Sequence, residues 1–86
     1  MPQIRRLFLD SAFDADTIAM MCETFDAAWR MIEPAFNLQP QVTIDDGRAT
    51  LASTIIQRVR VGVVHRDVLQ EEAIETVRRR YPNLRI

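Results

Sequence analysis

Between residues 16 and 33 the apolar positions recur at alternating spacings of three and four. Ile18, Met21, Cys22, Phe25, Ala28, Trp29 and Ile32 therefore fall on one side of a helix. Asp14 or Asp16 offers a carboxylate to the free N–H groups of its first turn. Pro34 closes it, because the residue before a proline is pushed out of helical geometry. Glu23, Asp26 and Arg30 take the opposite, water-facing side. A second stripe, Met20, Thr24, Ala27 and Met31, adjoins the first at about 100° per residue, leaving more than half the circumference apolar or neutral. Such a stripe predicts a surface for self-association or for another protein, where the flexible thioether of methionine suits an adaptable contact. The alternative is a neutral surface whose methionines fold down onto the N-terminal arm.

Two further periodic stretches follow. Ala49, Leu51, Ala52, Ile55, Ile56, Val59 and Val63 share a broad face, predicting a helix over about 45–61 with Thr43 or Asp45 as its cap and Gly62 as its end. Residues 34–44 read as a connection with two prolines that pins Phe36 and Leu38 onto the core. Residues 41–44 alternate like a strand, but a lone strand has nothing to pair with, so they read as a lead-in to the second helix. Leu69, Ala73, Ile74, Val77 and Tyr81 predict a third helix over about 67–81, capped by Asp67 with Gln70 and stopped by Pro82. Its outer face places Glu75 three and four residues before Arg78 and Arg79, the favourable order for ion pairs. Residues 1–13 form an arm whose Leu7, Leu9 and Phe13 lie across the bundle. The expected fold is all-α: one three-helix domain over residues 1–86.

Charge adds an asymmetry to this picture. Residues 1–46 carry a net −5 and residues 47–86 a net +4, every basic residue being arginine. That permits antiparallel or head-to-tail pairing between two copies. No apolar run approaches the roughly 20 residues of a membrane span, and the few apolar residues near the start fall short of a signal-peptide core. The single cysteine fits a reducing compartment, and the cytoplasm is expected.

The pattern Phe13-Asp-x-Asp-Thr17, then Thr24-Phe-Asp-x-Ala-Trp29, Leu51-Ala-x-x-Ile55-Ile56, Gly62, Arg66-Asp67 and Leu69 with Ala73 resembles a group of short, uncharacterised bacterial proteins. The resemblance spans residues 13–77 and implies an all-helical fold with no known activity, so it assigns no functional residue. The loop departs from that group's shorter Gly-x-Arg-Asp by the insertion of Val63, Val64 and His65.

Candidate chemistry is sparse. Cys22 would need a lowered pKa and a nearby base to act as a nucleophile, yet it sits mid-stripe between Ile18 and Phe25 and reads as a small core residue. His65, the single histidine, occupies a loop between helices and reads as solvated. Glu71, Glu72 and Glu75 lack an accompanying histidine and lie opposite the predicted core. Arg78, Arg79 and Arg80 are the best argument for nucleic acid, opposed by the glutamates of the same helix and by the acidic first half of the chain. The chain therefore reads as a non-catalytic interaction or structural module without cofactor or metal. It is expected to self-associate as a dimer, or to bind another protein, through Met20, Thr24, Ala27 and Met31. The alternatives are nucleic-acid binding through Arg78, Arg79 and Arg80, and a ligand-binding or enzymatic role through Cys22 or His65.

Overall fold

A computed structural model describes residues 13–86, and the expectations for Leu7 and Leu9 concern residues outside that part. Three helices form: α1 (Ala15–Ile32), α2 (Gln41–Arg60) and α3 (Arg66–Arg80), with a 3₁₀ turn at Glu33–Phe36 after α1. Among the described residues there is no strand. The first helix starts where Asp14 Oδ1 accepts the Thr17 N–H at 2.7 Å, a bond that also lowers the pKa of this carboxyl.

The ladder of α1 stops at Ile32 because Pro34 has no N–H to continue it, and the chain tightens into the 3₁₀ turn. That tightening carries Phe36 into the core, where it is fully buried. Leu38, expected beside it, is instead 97% exposed. Two residues beyond Phe36 the chain has already turned away from the core.

The second helix begins at Gln41, earlier than the cap signals at Thr43 and Asp45 suggest. The Pro40 carbonyl accepts the N–H groups of both Thr43 and Ile44, at 3.0 and 3.1 Å, so Pro40 holds the N-cap position and Thr43 and Asp45 lie inside the helix. Gln41 Nε2 donates to Asp45 Oδ1 at 2.9 Å, which ties the first turn to the second. The strand-like alternation of residues 41–44 is thus the first turn of a helix with Val42 pointing to water. At the other end Gly62 adopts φ 101°, the left-handed conformation glycine takes at no steric cost. Asp67 is likewise not a cap: α3 starts one residue earlier, preceded by His65, and Asp67 lies within its first turn, where its charge suits the helix dipole.

Helix α3 runs parallel to α1 and antiparallel to α2. Arg66 at the start of α3 meets Glu23 midway along α1 at 3.5 Å and Gln70, one turn on, reaches Met31 near the end of α1, while Arg80 at the end of α3 reaches Asp46 near the start of α2. The core comes from the faces expected for α1 and α3 and from Leu51, Ala52 and Ile55 of α2. Ala49 is exposed, and Gly47 and Thr54 occupy buried places on α2 instead. Thr54 is buried without penalty because its hydroxyl donates to the Thr50 carbonyl at 2.8 Å. Cys22, Ile56, Val59, Val63 and Tyr81 are half-buried at the margin of the core.

Candidate interaction surfaces

The second stripe of α1 divides along its length. Thr24 is fully buried, its hydroxyl donating to the Met20 carbonyl at 2.8 Å, so it belongs to the core and not to a surface. A threonine satisfied by its own helix in this way loses little on leaving water, which is why a polar letter in the stripe was a poor guide to exposure. Met20 and Ala27 are half-buried. Met31 alone is open, at 65% exposure.

Met31 forms one wall of a shallow groove of about 450 Å³ between α1 and α3. Gln70 Nε2 donates to its sulfur at 3.0 Å, which holds the thioether toward α3. Ile74 supplies the apolar floor, with Glu71, Glu72, Glu75 and Arg78 around it. Glu72 Oε2 is buried without a hydrogen bond, its nearest cation being Arg58 Nε at 3.7 Å.

A second groove, of about 630 Å³, lies at the opposite end of the bundle, where α1 begins and α2 ends. Phe13, Met20, Val59 and Val64 line its apolar part, and Asp16 and Arg60 stand beside them.

The three consecutive arginines each have a carboxylate partner. Glu75 accepts a hydrogen bond from Arg78 and lies 3.5 Å from Arg79. Arg78 Nε also donates to the Ile86 carbonyl at 3.0 Å. Arg80 binds Asp46 in bidentate fashion, Nε and Nη2 donating at 2.6 and 3.0 Å, and the Tyr81 hydroxyl donates to the same carboxylate. Asp46 thus ties α2 to the end of α3.

The Arg80 bonds, and then the Tyr81 hydroxyl, hold the Asp46 carboxyl below its ordinary value of 3.8. A carboxyl whose pKa is lowered by folding stabilises the fold fully above that ordinary value, and the contribution is lost as pH falls through the lowered one. Asp46→Asn should therefore lower the urea midpoint at pH 7, while the gap between variant and parent closes as the solution is acidified below about pH 3.8. Equal gaps at pH 7 and pH 2 would show that the ionised carboxylate is not what joins α2 to α3. Tyr81 shifts oppositely: burial, then the Asp46 bond, raises its phenol above 10.0.

Cys22 sits half-buried at the core margin of α1, and His65 is exposed just ahead of α3. Glu71 is exposed, whereas Glu72 and Glu75 are turned toward arginines. Among the described residues no group of three or more His, Cys, Asp or Glu side chains is placed to hold a metal ion. Among them, too, no helix is long and apolar enough to cross a membrane.

Two features had no signature in the sequence. The Arg48 guanidinium lies 5.2 Å from the ring centroids of both Phe25 and Trp29, a cation–π arrangement that covers the edge of the core. Gly47 lies against the Phe36 ring. Neither a lone arginine nor a lone glycine in a helix announces which aromatic it will meet.

The molecule is thus a small all-α bundle with an exposed methionine groove on one flank and an apolar groove at one end. No protein-family model, curated protein or solved structure matches this chain.

Proposed function

We propose that this chain is a non-catalytic interaction module that pairs with a second copy of itself across the Met31 groove. The observation that supports this reading is the exposed methionine on an apolar floor, rimmed by charges of both signs. A two-fold interface brings the same patch together from both partners, so each charge must find its opposite within that patch. Arg30, exposed beside Met31, and Glu71, exposed on the facing helix, supply the two signs. A dimer axis near Met31 sets Arg30 of one copy toward Glu71 of the other, and lets the two thioethers adapt to each other.

Met31→Glu tests this reading without disturbing the bundle, because the side chain is already largely in water. In the dimer it sets two like charges against each other in an apolar contact, weakening association at least about tenfold, or about 1.4 kcal/mol. Sedimentation should show the variant as a 10.0 kDa monomer at concentrations where the parent is paired, with an unchanged circular dichroism spectrum. A variant that pairs as tightly as the parent would place the interface elsewhere.

A further inference from the structure

In the single chain Met31 stands where water and small oxidants reach it. Of the methionines among the described residues, Met21 is fully buried and Met20 is half-buried, its sulfur accepting the Thr24 hydroxyl at 3.6 Å, whereas Met31 is 65% exposed. Met31 also has a neighbour suited to its oxidised form. Gln70 Nε2 donates to its sulfur at 3.0 Å, and a thioether is a weak acceptor where a sulfoxide oxygen is a strong one. We propose that Met31 is a site of two-electron oxidation by hydrogen peroxide, that the Gln70 amide takes up the sulfoxide oxygen, and that the modified chain no longer pairs. The last of these rests on the pairing described above.

In the reaction a lone pair of the sulfur attacks one peroxide oxygen. The S–O bond forms as the O–O bond breaks, the sulfur is oxidised, and the departing hydroxide takes the proton of the transferred oxygen and leaves as water. Positive charge develops on the sulfur during this transfer, and the groove suits it. Glu71, Glu72 and Glu75 line the groove with Met31, against one cation, Arg78, which is itself bound to Glu75. The Gln70 N–H, already on the sulfur, is within reach of the new oxygen. The effect on pairing follows from polarity. Oxidation turns a flexible apolar side chain into a polar one, and a two-fold contact brings the modified sulfur of both chains into the same patch.

Peptide mapping of the full chain after brief exposure to hydrogen peroxide, at high dilution, tests the site. Trypsin, cutting after arginine, separates these methionines: residues 7–30 hold Met20 and Met21, and residues 31–48 hold Met31 alone. Met31 should gain one oxygen atom at least about fivefold faster than Met20 or Met21. In the same sample the side-chain amide resonances of Gln70 should move, while those of Gln41, whose amide binds Asp45, stay in place. The chain carrying oxygen at Met31, isolated by chromatography, should need at least about tenfold higher concentration to pair in sedimentation. Oxidation of Met20 or Met21 as fast as Met31 overturns the site, and an unmoved Gln70 resonance overturns the part given to its amide. A modified chain that pairs as tightly as the parent overturns the release. A parent that never pairs overturns the pairing and the release with it, while the peptide map and the Gln70 resonance decide the modification independently.

Discussion

Phe36→Ala should lower the stability of the bundle by about 3–5 kcal/mol, the usual cost of deleting a buried phenylalanine together with the cavity it leaves. Few positions in the chain join as much. The ring is fully buried, tilted 38° against Trp29 at 5.3 Å between centroids and edge-on to Tyr81 at 5.5 Å. Its far edge lies against Gly47 of α2. One side chain in a short turn therefore holds the end of α1, the start of α2 and the end of α3. A domain of this length has a total stability of only about 4–13 kcal/mol, so the loss is a large share of the whole. At about 4–8 °C per kcal/mol, thermal unfolding should move down by roughly 12–40 °C. A shift of only a few degrees would mean that the aromatic cluster at this end of the bundle is not what secures it.

Gly47→Val should be the next most damaging change, and for a reason visible only in three dimensions. A Cβ placed on Gly47 would sit 2.7 Å from both Cε1 and Cζ of Phe36, inside contact distance. In an exposed helix, replacing glycine improves helix propensity by up to about 1 kcal/mol. Here overpacking opposes it, costing about 1–3 kcal/mol for a modest excess of volume and more for a branched side chain. We expect a net loss of about 2 kcal/mol by urea denaturation. The loss should shrink when Phe36 is also changed to Leu, giving a coupling of about 0.5–3 kcal/mol in the double-mutant cycle. Strict additivity would show that the glycine and the ring do not compete for the same space.

Phe36 was expected in the core and is buried there, whereas the Gly47 effect lies where sequence reasoning was weakest. The period of three and four in α1 and α3 was legible because each helix has one clear inward face, and Ile18, Phe25, Trp29, Leu69 and Val77 are buried as that period requires. Helix α2 was harder. Its inward face is built partly from Gly47 and Thr54, residues whose letters signal turn or surface, while Ala49, which looks apolar, faces water. Burial of the threonines depends on hydroxyls bonding back to their own helix, which no periodicity reveals. The starts of α2 and α3 were misplaced for a related reason, whereas the Asp14 cap of α1 was found. Thr43, Asp45 and Asp67 are residues that often cap, but a proline carbonyl and the chain geometry before α3 set the boundaries first.

The candidate surface was legible only in part. Met31 was found because a long apolar side chain beyond the main stripe must be covered by something or lie open. Thr24 was included for its place in the stripe and proved to be core. The arginine run illustrates the opposite failure. Read along the chain, Arg78, Arg79 and Arg80 are a block of positive charge; in space Glu75 meets the first two, and Asp46, contributed from a distant part of the sequence, meets the third. Neutralisation by a residue 34 positions away is a property of the fold and not of the local sequence.

Pairing through the Met31 flank is the central functional claim, and the mass of the unmodified chain in solution tests it most directly. Light scattering on a size-exclusion column, over a hundredfold range of loading, should give about twice 10.0 kDa at the upper end and fall toward the single-chain mass on dilution. A mass of 10.0 kDa at every concentration would contradict the account.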